Sequence, residues 1–114
     1  MAFVSPSRLY NWLQIDLGSV LQNIDRVLVI KRYYSYTRFK RVTIRIGNKP
    51  VPAGTGAVDL ATVAPNPVCA DYAGNNVQAV MIRCYNPLFG RYVTFQNKIS
   101  TQLEMDEVYV YTKQ

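Results

Sequence analysis

Trp12-Leu-Gln-Ile-Asp-Leu-Gly18 and, much later in the chain, Gly90-Arg-Tyr-Val-Thr-Phe95 are the two stretches that decide the fold. In the first stretch Leu13, Ile15 and Leu17 alternate with polar residues, which is the period-two pattern of a β-strand with one buried face. A tryptophan opens this strand and a glycine ends it. The second stretch begins with a glycine and continues as another strand. Both are typical of short antiparallel strands.

The same alternation predicts most of the remaining chain to be extended. Residues 24–31 are apolar on both faces, which indicates a central strand. A short strand is predicted at residues 57–63, inside a long loop-like stretch (50–76) rich in proline and glycine. The other predicted strands are residues 12–17, 39–47, 77–84, 91–97 and 103–112, with a turn at 86–90. No useful length of chain has a helical stripe, so residues 1–114 are predicted to form one all-β domain, an antiparallel β-sandwich of jelly-roll type.

Composition narrows the class of protein. Apolar residues make up 49% of the chain and charged residues 18%, which indicates a globular domain. No apolar run reaches the ~18 residues of a transmembrane segment, and the N-terminus lacks the pattern of a secretory signal. The net charge is +6, and seven of the thirteen cations lie between residues 31 and 49. Such a cluster attracts acidic glycans, anionic lipid or nucleic acid, or simply forms a solvated strand face.

Catalytic chemistry has little support in this sequence. The chain contains no histidine and only seven acidic residues, of which Glu104, Asp106 and Glu107 crowd the last strand. It also lacks the Gly-x-Ser-x-Gly, P-loop and dinucleotide-binding motifs, so we expect a protein that is not an enzyme. The three acids either coordinate calcium through their oxygens or make an edge strand soluble.

The two cysteines, Cys69 and Cys84, flank a loop and one predicted strand. A disulfide closing that span would stabilise the fold by about 3 kcal/mol through loop entropy. An even count in a small all-β domain fits an oxidising compartment, and two buried free thiols in a cytosolic protein are the alternative. A cysteine-based metal site lacks ligands, because the chain has no histidine and no third cysteine.

Residues 31–38 form the most distinctive loop, since they join two predicted strands and place cations beside aromatic rings. An arginine fork donates paired hydrogen bonds to neighbouring sugar hydroxyls, and a tyrosine ring stacks on the apolar face of a sugar. The same groups can stack bases and neutralise phosphates, or pack on each other by cation–π contact. The candidate ligand-binding residues are Lys31, Arg32, Tyr33, Tyr34, Tyr36 and Arg38.

Four segments in this order resemble the F-type lectins (fucolectins) of the discoidin-like, galactose-binding superfamily. Trp12-Leu-Gln-Ile-Asp-Leu-Gly18 is similar to the family's W-x-V-D-L-G strand. Arg38-Phe-Lys-Arg-Val-Thr-Ile-Arg-Ile-Gly-Asn48 resembles R-L-x-x-x-x-I-R-I-G-N. Asn66-Pro-Val-Cys69, Cys84 and Gly90-Arg-Tyr-Val93 follow the family's N-P-x-C, C and G-R-Y-V run, and residues 103–111 resemble L-T-L-C-E-V-x-V-Y.

The resemblance implies a jelly roll that binds L-fucose through a histidine, two arginines and an Arg-x-Asp loop. The arginines map onto Arg32, or Lys31, and Arg38, the two cysteines are implied to be bonded, and Glu107 matches a calcium-ligating glutamate. The chain departs from the family at several positions. The histidine would fall near Ser7, Tyr33 or Tyr34 replaces the loop acid, Tyr34 and Ser35 stand where a cysteine pair is expected, and Asp106 replaces the last-strand cysteine.

Relative to the family the chain is also N-terminally shortened, without its first strands and calcium loop. The missing strand leaves the backbone of 103–112 unpaired, which predicts a homo-oligomer through exposed edge strands. We therefore expect a secreted, lectin-like module with a degenerate fucose motif, whose site also includes loops 50–76 and 86–89. The alternatives are a structural or adhesive protein that has lost sugar binding, or a binder of anionic surfaces such as sulfated glycan or phospholipid. No specific nucleic-acid partner is expected.

Overall fold

The computed structural model describes residues 3–31, 39–75 and 77–113, which form short and long strands and one short helix. In chain order the elements are β1 (Phe3–Val4), β2 (Trp12–Ile30), β3 (Val42–Gly47), α1 (Leu60–Val63), β4 (Val68–Tyr72), β5 (Ala79–Asn97), β6 (Glu104–Met105) and β7 (Glu107–Thr112). No helix in these residues is long and apolar enough to cross a membrane.

The strands form a five-stranded sheet in the order β4-β3-β5-β2-β7 and a small β1-β6 sheet. All of the pairings are antiparallel. The larger sheet has two halves, and the long strands β2 and β5 run through both of them. Residues 12–16 of β2 pair with 92–96 of β5, next to β3, whereas residues 26–30 pair with 79–83, next to β7.

The two halves of this sheet face each other as layers. Val27 and Ile82 belong to one half, Ile44 and Phe95 to the other, and all four lie in one hydrophobic cluster. Val27, Ile44 and Phe95 are fully buried. Because a single sheet would leave one face in water, this burial requires the halves to pack against each other. The predicted fold class, an all-β antiparallel sandwich, is confirmed.

Two segments that were predicted to be turns lie within continuous strands, at positions where the pairing register shifts. The pairing register shifts between Asp16 and Leu21, and again between Ile24 and Arg26. Gly18 lies in the first irregular stretch, and the Asn86-Pro87 pair lies opposite the second. The turn predicted at 86–90 is therefore wrong, because turn residues placed in a bulge bend a paired strand without ending it.

Two further predictions in the middle of the chain are wrong. The strand predicted at 57–63 contains helix α1, because the Asp59 side chain caps its first turn by accepting a hydrogen bond from the Ala61 N–H at 3.0 Å. The loop assigned to 50–76 contains β4, which pairs with β3. Local composition suggested a loop because Pro65 and Pro67 immediately precede β4.

The C-terminal strand predicted at 103–112 divides at Asp106 into β6 and β7. Phe3 and Val4 pair with Met105 and Glu104, so the first part of this segment does have an N-terminal partner. Strand β7 pairs with β2 on one side and forms an edge of the five-stranded sheet.

An ion pair joins the two stretches that decide the fold. The carboxylate of Asp16 accepts hydrogen bonds from Arg91 Nε at 2.6 Å and Nη2 at 2.9 Å, and a third from the Gly18 N–H at 2.8 Å. The Arg91 guanidinium is the main cause that lowers the pKa of Asp16 from 3.8 to about 2, and the Gly18 N–H adds to it.

This ion pair predicts an acid-dependent part of the stability. Because the folded pKa of Asp16 lies below its ordinary value, the pair stabilises the fold above pH 3.8 and loses this effect as the pH falls toward about 2. In the wild type, the urea concentration at the unfolding midpoint should fall as the pH is lowered from 3.8 to about 2. Asp16→Asn should make this fall smaller. The difference should be small because both side chains are solvent-exposed. Arg91→Gln should flatten the same range, and an unchanged slope in both variants would contradict this assignment.

Candidate functional site

At one end of the sandwich, the residues on either side of the predicted binding loop are hydrogen-bonded to other parts of the chain. The Lys31 N–H donates to Gln78 O at 2.7 Å, the Arg41 N–H to Ala73 O at 2.9 Å, and the Asp106 N–H to Ile30 O at 2.8 Å. We call this region, made of residues 30–31, 39–41, 73–75, 77–78 and 106, the loop end. Five predicted ligand-binding residues, Arg32, Tyr33, Tyr34, Tyr36 and Arg38, lie outside the described residues, so their role stays a prediction.

Lys31, the sixth predicted ligand-binding residue, has a buried position at the base of the loop end. Its side chain is fully buried, and Nζ donates to Asn75 O at 3.0 Å. Nζ also lies 5.9 Å from the centroid of the Phe39 ring. Burial lowers the pKa of this ammonium, and the charge of Glu104 acts in the opposite direction. Lys31 thus ties the start of the loop to segment 73–75 and presents no charge to solvent.

An open groove of about 460 Å³ lies beside the loop end, on the edge formed by β3 and β4. We call it the basic groove. Its polar and aromatic lining consists of Arg41, Thr43, Arg45, Asp71, Tyr72 and Lys98. Thr43 stands opposite Asp71 in the β3–β4 register, which places both on the same face of the sheet.

Arg41 connects the groove to the loop end. Its backbone has a φ of 52°, a left-handed conformation that costs free energy for a residue other than glycine. The conformation is held from both sides, since the Arg41 N–H donates to Ala73 O and its carbonyl accepts from the Lys98 N–H at 2.7 Å. Three segments thereby fix the backbone from which the exposed Arg41 side chain projects at the lip of the groove.

The opposite wall supplies the carboxylate of Asp71, while the neighbouring Tyr72 packs inward. Asp71 accepts a hydrogen bond from Thr43 Oγ1 at 2.7 Å and another from the Tyr85 hydroxyl at 3.2 Å. The hydroxyl of Tyr72 is buried and finds no hydrogen-bond partner within the described part of the chain. Burial raises the pKa of this phenol, and its ring lies 5.4 Å from that of the buried Phe39, so Tyr72 packs into the core beneath the groove and leaves ligand donation to the arginines. The groove can thus donate to and accept from a polyhydroxylated ligand.

Sequence reasoning found only part of this groove. The outward direction of Thr43 and Arg45 follows from alternation in β3, but Asp71 and Tyr72 lie in the stretch that was assigned to a loop. Strand β4 is defined by its pairing with β3, and the local sequence contains no sign of that pairing.

Solved structures of similar architecture exist, although the chain matches no known protein-family model and no curated protein. The fucolectin from striped bass (Morone saxatilis) serum is 23% identical, with a TM-score of 0.75 over 99% of this chain. The lectin domain of lectinolysin, complexed with Lewis B antigen, is 17% identical, with a TM-score of 0.68 over 99% of this chain and 72% of its own. The chain has the fold of the F-type lectins.

Another solved structure has a similar fold. CBM32-1, from a family 31 glycoside hydrolase of Clostridium perfringens, is 19% identical with a TM-score of 0.66, over 97% of this chain and 76% of its own. The present chain spans 36% of the length of the striped bass fucolectin. At these identities the likeness concerns the fold, and ligand binding must be argued from the residues.

Three of the segments on which the resemblance is based meet at one structural point. A Cβ atom on Gly90 would lie 2.6 Å from the Cα atom of Gly47, and one on Gly47 would collide with the Asn66 side chain. Asn66 Oδ1 accepts from the Lys49 N–H at 3.0 Å, and Nδ2 donates to Lys49 O at 2.8 Å. The I-G-N, N-P-x-C and G-R-Y-V segments of this chain therefore meet in close packing.

Cys69 and Cys84 form a disulfide, as predicted. The bond links edge strand β4 to the irregular part of β5, and so holds the groove wall that carries Asp71 and Tyr72. An oxidised pair is consistent with an extracellular protein.

Glu107, the candidate calcium ligand, lies at the start of β7. Its carboxylate accepts a hydrogen bond from the Tyr109 hydroxyl at 2.7 Å, which raises the pKa of that phenol. In residues 3–31, 39–75 and 77–113 no three acidic, histidine or cysteine side chains come together as metal ligands. Calcium needs six to eight oxygens, so the described residues do not fit the calcium site that the fold family implies.

Proposed function

We propose that this chain is a non-catalytic carbohydrate-binding module that holds its ligand between loop 32–38 and the basic groove. One observation carries the proposal: Arg41, Asp71 and Tyr72 line an open groove at the same end of the sandwich from which this loop departs. Binding sites are commonly loops positioned by a rigid scaffold. The disulfide supports a secreted, extracellular location.

The chemistry of the groove suits a sugar. Guanidinium groups donate paired hydrogen bonds to neighbouring hydroxyls, and the Asp71 carboxylate accepts from a third hydroxyl. Arg32 and Arg38 would add donors from the loop, and Tyr33, Tyr34 or Tyr36 would stack on the sugar ring. Similar folds include a Streptococcus pneumoniae fucose binding module and a chitosan-binding module, which supports a glycan ligand here.

The lining of the groove argues against hydrolysis. Among the described lining residues Asp71 is the one carboxylate, and Thr43 and Tyr85 already donate to it. Glycoside hydrolysis ordinarily requires two carboxyl groups placed about 5–10 Å apart. We therefore interpret the groove as a binding surface.

A glycan array tests this function with four proteins. The wild type should bind a limited set of glycans, and an Arg32→Ala, Arg38→Ala double variant should bind them at least ~10-fold more weakly, because each removes charge-assisted hydrogen bonds. Arg41→Ala should weaken the same glycans. The matched control is Arg83→Ala, which removes an exposed arginine from the other half of the sheet and should leave binding unchanged.

Two outcomes of that experiment would contradict the proposal. No binding by a folded wild-type protein would favour the structural or adhesive alternative. Full binding by both arginine variants would place the sugar elsewhere on the molecule.

The excess of cations over acids in the groove favours a second candidate, an anionic glycan or phospholipid surface. Arg41, Arg45 and Lys98 line the groove together with the single acid Asp71. Ionic strength separates the two candidates. Binding to a polyanion should weaken steeply with added salt, whereas binding to a neutral sugar should change little.

A further inference from the structure

The outer face of the β5-β2-β7 half of the sheet carries an apolar row next to a row that contains Arg26 and Arg83. The register aligns Met81, Leu28 and Tyr109 in one row across the three strands. Met81 is 44% exposed and Tyr109 46% exposed. Solvent-facing surfaces of antiparallel sheets are normally polar. Strand β7 borders this face and is also an edge strand, with no described residue paired to its outer side. An apolar row that reaches an open edge favours pairing with another strand.

The charges along β7 indicate which strand would pair there. Glu107 opens the strand and is exposed, and Lys113 follows its last residue and is also exposed. Lys113 extends the pairing with β2, because its N–H donates to Asn23 O at 2.7 Å. By alternation Glu107, Tyr109, Tyr111 and Lys113 point to the same, outer face. The edge is therefore acidic at one end, basic at the other and aromatic between them.

We propose that two copies of this chain pair antiparallel along β7, with Val110 opposite Val110 of the second copy. In this register Glu107 lies opposite Lys113 of the second copy, and the two-fold symmetry repeats the contact. Tyr109 lies opposite Tyr111 of the second copy, which places aromatic rings side by side on the outer face. The surface is complementary to itself, so no other partner is needed to explain it.

Other registers are less favourable for stated reasons. If one copy slides by one residue along the strand, the outward-facing side chains of its β7 lie opposite the core-facing side chains of the other copy. A slide by two residues keeps the faces aligned but separates Glu107 from Lys113 of the second copy. The register centred on Val110 is the one that satisfies both conditions.

The pairing has a consequence for ligand binding, which rests on the proposed function. Glu107 stands opposite Ile30, the residue before the binding loop, so each copy's loop end lies near the start of β7. Antiparallel pairing places the two loop ends at opposite ends of the joined sheet. A dimer of this kind bridges two glycan-bearing surfaces and gains avidity when both carry the ligand.

Charge reversal tests the register by sedimentation equilibrium at low salt. The wild type should dimerise, and Glu107→Lys or Lys113→Glu should each raise the dimer dissociation constant at least ~10-fold, because each places two like-charge pairs at the interface. The double reversal restores opposite charges and should recover most of the affinity. Arg83→Glu, which makes the same charge change on β5 away from the edge, should leave the dissociation constant unchanged.

Three results would overturn the dimer. They are a wild type that sediments as a monomer up to about 1 mM, a dimer insensitive to both single reversals, and a folded double-reversal variant that fails to recover. Circular dichroism of each variant separates loss of folding from loss of pairing. Since sedimentation needs no glycan, a protein that dimerises but binds no glycan would refute the proposed function alone.

Discussion

Replacing both Cys69 and Cys84 with alanine should lower the free energy of unfolding by about 3 kcal/mol. The disulfide joins residues 15 positions apart, so its loss frees that loop in the unfolded chain. Cys69 is fully buried in the core, and alanine avoids placing a hydroxyl there. Urea unfolding followed by the fluorescence of Trp12, the one tryptophan, measures the change.

The same variant separates stability from function. Asp71 and Tyr72 follow Cys69 on the edge strand β4, so loss of the disulfide should loosen one wall of the basic groove and weaken glycan binding. Chemical reduction of the wild type is the matched control and should lower stability by a similar amount. A loss of less than about 1 kcal/mol would show that the tether contributes little to this fold.

Gly90→Ala should destabilise the protein by about 3 kcal/mol, at the upper end of overpacking effects. The new Cβ would lie 2.6 Å from backbone atoms of Gly47, closer than real Cβ contacts. Those backbone atoms belong to the last residue of β3, which pairs with Tyr92 two residues further along β5, so relief of the collision requires the two strands to move apart. Urea unfolding again provides the measurement.

Gly56→Ala is the control for the glycine prediction. No atom lies within 4 Å of a Cβ built on Gly56, so this substitution adds the same methyl group in open space. Its stability should stay within about 0.5 kcal/mol of the wild type. Equal effects of the two substitutions would mean that the Gly47–Gly90 contact does not limit the packing.

The strands that could be predicted are those in which apolar and polar residues alternate, because this alternation shows which side chains are buried. Leu13, Ile15 and Leu17 pack against the core, and Ile44 and Ile46 are fully buried, as the period-two pattern indicated. The doubly apolar stretch 24–31 was predicted to be central, and β2 is indeed paired on both sides there.

The features that could not be predicted depend on contacts between residues far apart in the chain. Gly18 and the Asn86-Pro87 pair have the chemistry of turns, and only their pairing partners make them bulges. Strand β4 is short and follows two prolines, so its identity comes from β3. A lysine at position 31 would be expected on the surface. Its ammonium group is instead buried, where it donates to the carbonyl of Asn75 and lies over the ring of Phe39.

By itself, the sequence determined an all-β chain, the inward faces of its main strands, and a cysteine pair compatible with a disulfide. These features follow from properties of a residue and its immediate neighbours: alternation, side-chain size and thiol chemistry. Only the tertiary structure decided that Arg41, Asp71 and Tyr72 line one groove, that Lys31 is buried, and that β7 is an edge among the described strands, bordered by an apolar row. Each of these depends on which distant strands become neighbours, and many pairings satisfy the same local pattern until the whole core is packed.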